Sequence, residues 1–137
     1  MWSRISRPRS RVSAARARAR RRRSTPRALH RAEDETFTLL DGEATLYVGA
    51  AMTKLLPGET AFAPRGVPHT FRFESETARM LVAATPAGFD RFVAAVGERA
   101  GAPGLPDEPV LPDPERFAKI CREFEIELLG PPGTLPS

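Results

Sequence analysis

The sequence predicts an all-β core followed by one or two C-terminal α-helices, and three observations support this fold class. About six short β-rich runs lie between residues 35 and 84, separated by glycine and proline turns. Asp41-Gly42 stands between two of these runs, which is a strong hairpin signal. After Pro86 the apolar spacing changes from every second residue to that of a helix. A chain of 137 residues suits one domain, here a small antiparallel barrel or sandwich.

The first predicted elements are two antiparallel strands over residues 35–41 and 43–49, joined by the Asp41-Gly42 turn. Both turn residues tolerate the positive φ that a tight hairpin needs. A third short strand is predicted over 50–56. Pro57-Gly58 then turns the chain into the next element.

The stretch Pro57–Phe73 contains one of the two histidines of the chain. A short apolar strand over 60–63 leads into a proline- and glycine-rich corner, and His69 opens an alternating strand after it. A side chain at the first inward position after such a corner is held by two rigid elements. His69 is therefore a candidate metal ligand or binding residue. One more strand is predicted over 78–84.

The C-terminal third predicts helices that cover the barrel. An i, i+3, i+4, i+7 apolar stripe begins at Phe89 and predicts an amphipathic helix that ends near Gly101. Residues 102–112 form a proline- and glycine-rich linker. Asp113 and Pro114 are typical of a helix cap and a first helical position. A short strand is predicted over residues 126–132 after that helix, before a disordered tail.

The charge of the chain is divided unevenly. Residues 1–27 carry 11 arginines and no acidic residue, whereas residues 28–137 carry 10 basic and 17 acidic residues, a net charge of −7. The low-complexity arm is expected to be disordered. Four interpretations of it stay open: a nucleic-acid or nuclear-import patch, an organelle transit peptide, a basic tail without a specific role, or a gene-model artefact.

The remaining composition narrows the class of protein. Cys121 is the single cysteine, so the chain has neither a disulfide framework nor a thiolate metal site, and a reducing, cytoplasmic location is expected. No apolar run is long enough to span a bilayer, and no membrane partner is expected. The acidic body is not expected to attract nucleic acid by its own field, which leaves the arginine arm as the candidate contact.

Two histidines and one carboxylate occupy corresponding places in the predicted strands. His30 and His69 each stand at the mouth of a strand, and Glu35 begins the strand that runs into the Asp-Gly turn. Side chains two residues apart share a strand face, so Glu35 and His69 each lie on a face with aromatic or aliphatic neighbours. Two histidines and one carboxylate suit Zn, Fe, Mn, Ni or Cu. His30, Glu35 and His69 are the predicted metal ligands.

At these residues the chain resembles the cupin superfamily, in particular its small quercetin-dioxygenase-like members. The second motif of the family, G-x5-P-x-G-x2-H-x3-N, is matched at the right spacing by Gly58, Pro64, Gly66 and His69, with Phe73 in the place of the asparagine.

The first motif, G-x5-H-x-H-x3,4-E-x6-G, is matched by His30, Glu35 and Gly42. Ala28 stands where the first histidine belongs, and the arginine arm replaces the upstream glycine and strand. The resemblance therefore implies a metal centre with one ligand fewer than the three histidines and one glutamate of the family, and a barrel that is incomplete at its N-terminus. Metal affinity is expected to be lower, and the metal to be absent if the missing histidine is essential.

The resemblance implies a cupin-type double-stranded β-helix, or jelly-roll barrel, with C-terminal helices. The implied organisation is a disordered arm over 1–27, a barrel over 28–86, a helical extension over 87–130 and a disordered tail over 131–137. It also implies a small organic ligand in the barrel, a dioxygenase-like or isomerase-like activity if the protein is an enzyme, and a homodimer. The expected pocket-lining residues are Phe37, Leu39, Phe62, Phe71, Phe73 and Met80.

Two alternatives belong to other functional classes. A degenerate cupin that has lost its metal chemistry with the histidine at position 28 would be a metal-free binding or structural module. An arginine-rich nucleic-acid-binding protein would act through residues 1–26, and its affinity would fall steeply with salt.

Overall fold

Two antiparallel sheets and two helices form the part of the chain that the structure, a computed structural model, describes: residues 2–5, 13–19, 24–98, 101 and 112–136. The strands are β1 Trp2–Ile5, β2 Ser13–Ala19, β3 Pro26–His30, β4 Asp34–Asp41, β5 Ala44–Val48, β6 Ala51–Leu55, β7 Thr60–Ala63, β8 His69–Phe73, β9 Ala78–Thr85 and β10 Ile126–Pro132. The helices are α1 Phe89–Val96 and α2 Pro114–Glu123. One sheet has the order β1-β2-β9-β4-β7 and the other β10-β3-β8-β5-β6.

The inner faces of the two sheets enclose one apolar core. Burial alternates along β4, where Glu35, Phe37 and Leu39 are buried and their neighbours are not. The rings of Phe37 and Phe71, from opposite sheets, lie 5.8 Å apart. The predicted all-β jelly-roll core with C-terminal helices is confirmed.

The hairpin between β4 and β5 forms where the Asp-Gly signal predicts it. Gly42 has a φ of 83°, and a Cβ at this position would collide with the Thr77 carbonyl and the Ser75 hydroxyl. A residue with a side chain would therefore be strained in its backbone and would lack space. The turn packs against the start of β9 and joins the two sheets at this end of the barrel.

The N-terminal arm differs from the disordered segment that the sequence predicts. β1 and β2 are strands within the arm, and β2 pairs with β9 from Ser13 opposite Ala84 to Ala19 opposite Ala78. Without β2, the backbone groups on one side of β9 would be unpaired, which is costly for a sheet edge. Alternation of alanine and arginine over 15–19 is the period-two signal of a strand that the compositional argument passed over. The expectation for residues 1, 6–12 and 20–23 lies outside the described part.

Two predicted boundaries are also wrong. Helix α1 ends at Val96 rather than near Gly101, because Gly97 is extended, with φ −75° and ψ 162°. Strand β10 has the bounds that the sequence predicts for this strand, so residues 131 and 132 belong to it and not to the tail. Its last residues pair with the beginning of β3 across two register shifts. The free edge of β3 supplies the partner that the local sequence did not reveal.

The two helices pack together through aromatic side chains. The ring of Phe92 on α1 lies 5.7 Å from Phe124 and 6.4 Å from Phe117. Asp113 caps α2 as predicted, since its Oδ2 accepts a hydrogen bond of 2.8 Å from the Arg116 amide. Neither helix in the described residues has the length and apolar character that crossing a membrane requires.

Candidate metal centre

His30, Glu35 and His69 converge inside one end of the barrel. His30 ends β3, Glu35 is the second residue of β4, and His69 begins β8, so both sheets contribute. The Oε2 atom of Glu35 lies 2.7 Å from His69 Nε2 and 3.6 Å from His30 Nε2. All three side chains are buried, and one ligand atom from each lies within 4.8 Å of the others. The structure brings together the three residues that the sequence singled out.

The outer nitrogens of both imidazoles are held by neighbouring acceptors. His30 Nδ1 lies 3.1 Å from Glu33 Oε1, and His69 Nδ1 lies 3.1 Å from the Val67 carbonyl oxygen. A carbonyl oxygen can only accept, so a proton resides on Nδ1 of His69. A carboxylate favours the same tautomer of His30. In the neutral form of each ring, the lone pair of Nε2 therefore faces Glu35.

When both imidazoles are neutral, Glu35 Oε2 is a buried acceptor that faces two further acceptors. Despite the 2.7 Å approach of His69 Nε2, this oxygen accepts no well-aligned hydrogen bond from any residue of the described ranges. Two lone pairs at this distance repel each other unless a positive charge lies near them. Either a proton on an imidazole or a metal cation can provide it.

The pKa shifts of Glu35 and His30 indicate how their charges offset each other when no metal is bound. Burial is the largest influence on Glu35 and raises its pKa, but the contact with His69 and the charges of both imidazoles outweigh it, and the net pKa is lowered. For His30, burial is again largest and lowers the pKa, while the Glu33 hydrogen bond and the charges of Glu35 and Glu33 raise it above its usual value. The pocket thus favours an ionised carboxylate beside a positive charge.

Two further contacts join the segments that carry the ligands. The Gly66 amide donates a 2.7 Å hydrogen bond to the His30 carbonyl. Arg65, in the corner before His69, binds Asp34 through its backbone amide at 2.8 Å and through Nη2 at 2.8 Å. These contacts fix the corner to the turn between β3 and β4.

Ala28 occupies the inward position that precedes His30 on the same strand face. It is buried and stands directly opposite His69 in the β3–β8 pairing. A histidine there would point toward the three ligands, because directly paired residues share a sheet face. The methyl group of Ala28 supplies no donor, so the candidate ligand set within the described residues has three members.

The expected pocket-lining residues divide into two groups. Phe37, Leu39, Phe71, Phe73 and Met80 are buried in the interior, and the Phe37 ring lies 5.7 Å from His69.

The prediction for Phe62 is wrong, since this residue is 56% exposed. On β7 it pairs with the outward Thr36, whereas Ala61 and Ala63 pair with the inward Phe37 and Glu35. The register with β4 therefore turns Phe62 away from the barrel.

Two residues beside the ligands were missed from the sequence. Glu33 looked like part of a solvated acidic turn, yet it is 7% exposed and binds His30. Its spacing of three from a candidate ligand was the available signal, because metal-binding histidines usually have a carboxylate or carbonyl partner. Phe89 looked like one member of a helix stripe, but its ring lies 5.5 Å from that of His30.

The three residues fit a divalent transition metal. Bonds of about 2.0–2.2 Å to imidazole nitrogen and carboxylate oxygen place neighbouring ligand atoms roughly 3 Å apart. The separations of 2.7 and 3.6 Å lie on either side of that value. An unsatisfied buried oxygen and two lone pairs directed toward it are the donor set that such an ion requires.

Comparisons with known proteins agree with this architecture. A model of the cupin domain matches residues 20–84. Quercetin 2,3-dioxygenase of Bacillus subtilis (strain 168) is 24% identical over 102 residues, which are 74% of this chain and 30% of that protein. The chain spans 30 to 52% of the length of the curated relatives it matches.

Two solved structures show the same fold. The protein TT1209 from Thermus thermophilus is 30% identical, with a TM-score of 0.55 over 62% of this chain and 83% of that one. The cupin domain of Schizosaccharomyces pombe Cnp3 is 12% identical, with a TM-score of 0.58 over 66% of this chain and 63% of that one. The chain has two facing sheets, a histidine–glutamate–histidine cluster at one end of the barrel and a match to the cupin-domain model. Together these findings show that it belongs to the cupin superfamily.

Proposed function

We propose that the protein binds one divalent metal ion through His30, Glu35 and His69 and holds a small organic ligand beside it in the barrel. The observation that supports this proposal most directly is the buried Glu35 Oε2, which faces Nε2 of both imidazoles and lacks an aligned donor within the described residues. Fe, Mn, Ni, Zn and Cu all suit this donor set. The reaction class that we propose is dioxygenase-like or isomerase-like.

The residues of the chain have separate roles in this proposal. Glu33 and the Val67 carbonyl keep protons on the outer nitrogens, so that both Nε2 atoms are free to bind. Phe37 packs beside His69 and Phe89 beside His30, and both imidazoles are only 6% exposed. When bound, a divalent transition metal supplies Lewis acidity and, for a redox-active ion, one-electron chemistry.

Metal analysis of the purified full chain tests the proposal. We expect about one equivalent of metal after reconstitution and a loss of affinity of more than tenfold in His69→Ala. Phe62→Ala is a matched control, since this ring is 56% exposed and faces away from the ligands. Circular dichroism must show that the variants are folded. Equally negligible metal in the wild type and in His69→Ala would disprove metal binding.

A metal-free binding module is the second candidate function. It is favoured by Ala28 in place of a further ligand and by the raised pKa of His30, since a protonated imidazole can balance Glu35 without a metal. This candidate requires a small ligand that raises the melting temperature in the presence of a strong chelator. The homodimer, the cytoplasmic location and nucleic-acid binding through the arm stay predictions.

A further inference from the structure

The outer face of one sheet is uncharged and rich in threonine. It belongs to the sheet β1-β2-β9-β4-β7, and its residues on β4, β7 and β9 alternate with the inward residues of the core. All of them are at least partly exposed. We name this surface the threonine face: Thr36, Thr38, Thr60, Phe62, Leu81 and Ala83. It presents hydroxyl, methyl and aromatic groups to solvent and carries no charge of its own.

Within the described strands, carboxylates stand only at the two ends of the threonine face. Asp34 and Asp41 lie at opposite ends of β4, and each has an arginine beside it. Arg65 Nη2 lies 2.8 Å from Asp34 Oδ2, and Arg79 Nε lies 4.0 Å from Asp41 Oδ2. Helix α2, with its acidic residues, contacts β10 of the other sheet. A polyanion can therefore approach the threonine face and meet a carboxylate of these strands only beside an arginine.

The arginine arm extends the same sheet beside the threonine face. Strand β2 pairs with β9, with Arg16 opposite Leu81 and Arg18 opposite Arg79. Directly paired residues share a sheet face, so both arginines occupy register positions of the outer face. Residues 1–27 contain 11 arginines and no acidic residue. Because neighbouring strands are about 4.8 Å apart, β2 lies roughly 14 Å from β7, the third strand across.

A basic segment alone attracts any polyanion, so a second observation is needed to identify the partner. Phe62 provides it, since it is 56% exposed and is the one aromatic member of the exposed large hydrophobic residues in the described ranges. It lies on the threonine face, in the same sheet as the arm. Proteins that bind single-stranded nucleic acids combine positive charge along the backbone with exposed aromatic rings on which bases stack. Heparin and nucleic-acid duplexes offer the charge but no free base.

A pair of threonine hydroxyls on the same face favours RNA over DNA. Thr38 Oγ1 and Thr60 Oγ1 lie 2.9 Å apart at an exposed position, and Thr60 stands two residues from Phe62 along β7. One hydroxyl donates to the other, so one O–H of the pair is left to donate and lone pairs of both oxygens are left to accept. The ribose 2′-hydroxyl is both donor and acceptor, and DNA lacks it. The pair therefore offers the groups that bind ribose next to a ring on which a base can stack.

We propose that the threonine face and the arginine arm together bind single-stranded RNA. The arm holds the phosphate backbone, a base stacks on Phe62, and the hydroxyl pair of Thr38 and Thr60 binds the ribose. This site lies on the outside of the sheet, whereas the candidate metal ligands are buried inside the barrel. The inference therefore does not rest on the proposed metal binding, and a strong chelator should leave RNA binding unchanged.

Fluorescence anisotropy with the full chain and a labelled, unstructured RNA of about 20 nucleotides tests the proposal. We expect the affinity to fall steeply with salt. Phe62→Ala should weaken RNA binding at least fivefold, and Phe62→Trp should retain it, because either aromatic ring can stack on a base. DNA of the same sequence should bind at least threefold more weakly. The double variant Arg16→Ala, Arg18→Ala should reduce the salt slope by about 1.4, since each phosphate contact on a single strand contributes about 0.7.

Matched controls separate the threonine face from the rest of the surface. Met52→Ala removes an apolar side chain that is 59% exposed on β6 of the other sheet, and it should not change RNA affinity. The double variant Lys119→Ala, Arg122→Ala removes two positive charges from exposed positions of α2 and should leave the salt slope unchanged. Phe62→Ala should not change the affinity for heparin, which has no base to stack.

Unchanged RNA affinity in folded Phe62→Ala would overturn the threonine face as the binding site. An equal loss of heparin affinity in that variant would overturn base stacking, and DNA that binds as tightly as RNA would overturn the assignment to RNA. RNA binding that is absent from the wild type, or that does not change with salt, would overturn the whole proposal and leave the proposed metal binding untouched.

Discussion

Arg65 binds Asp34 through three donors and thereby connects the two halves of the candidate metal centre. Its backbone amide and Nε donate to Oδ1 at 2.8 and 3.2 Å, and Nη2 donates to Oδ2 at 2.8 Å. Asp34 lies between Glu33 and Glu35, and Arg65 lies in the corner that precedes His69. The pair therefore relates the position of one ligand to that of another without contacting a metal.

Asp34→Asn is expected to weaken this connection and to lower metal affinity severalfold in a folded protein. The guanidinium of Arg65 lowers the pKa of Asp34 from 3.8 to about 2. Because the pKa of Asp34 is lower in the folded protein, the ionised carboxylate stabilises the fold at pH values above its pKa in the unfolded chain. This contribution is lost as pH falls from about 4 to 2. The melting-temperature difference between wild type and variant should accordingly be present at pH 6 and shrink toward pH 2. A difference that does not change with pH would contradict this role.

Glu33→Gln should reduce metal affinity about 10- to 100-fold, because an outer partner of a metal-binding histidine sets its tautomer and basicity. The amide can still contact His30 but has no charge, so a partial effect is expected rather than a complete loss. Calorimetric titration measures it, with the exposed Glu76→Gln as the control of equal charge change. Equal affinities for the two variants would mean that Glu33 only fills space.

Metal affinity should fall as pH decreases, because a proton on His30 competes with the metal. The pKa of His30 is raised in the metal-free protein, so this competition begins at a higher pH than for an ordinary histidine. The expected loss approaches about tenfold per pH unit for each displaced proton.

The contribution of His30 to the stability of the metal-free protein should depend on pH in the opposite direction to the metal affinity. A raised folded pKa stabilises the metal-free protein at low pH, and that contribution disappears as pH rises through the folded pKa. The gain in melting temperature on adding metal should therefore be larger at pH 8 than at pH 6. A gain that is larger at pH 6 would exclude the assigned balance between Glu35 and His30.

Phe73→Ala and Phe62→Ala test the division between interior and surface. Phe73 is fully buried, and its truncation should cost about 3–5 kcal/mol in the free energy of unfolding. Phe62 is 56% exposed, and its truncation should cost about 0.5 kcal/mol or less. Denaturant unfolding of both variants gives the comparison. Similar losses would contradict the register of β7 on β4.

Deletion of residues 1–23 tests the structural role of the arm. It removes β2, which pairs with β9 along its full length, and leaves the backbone groups on that side of β9 unpaired. We expect a lower melting temperature and a tendency of the exposed edge to associate. Deletion of residues 1–12 removes β1 alone and serves as the milder comparison. An unchanged melting temperature after the longer deletion would show that the arm does not stabilise the barrel.

The sequence alone was sufficient for the fold class and for the choice of His30, Glu35 and His69, which the structure brings together. Period-two alternation, the Asp-Gly turn and the spacing around His69 are local signals, and such signals persist whatever the strands pair with. His30 and Glu35 could be chosen because few residues of these types stand at strand ends.

Only the tertiary structure decided features that depend on pairing between distant segments. The register of β7 on β4 turns Phe62 outward and places Ala63 beside Glu35, and no local pattern contains that register. The burial of Glu33 accompanies its contact with His30 Nδ1, and the arm becomes strand because β9 offers an unpaired edge. Residue type and spacing in the sequence thus identified the candidate ligands, whereas strand register and the packing of the two sheets determined which residues surround them.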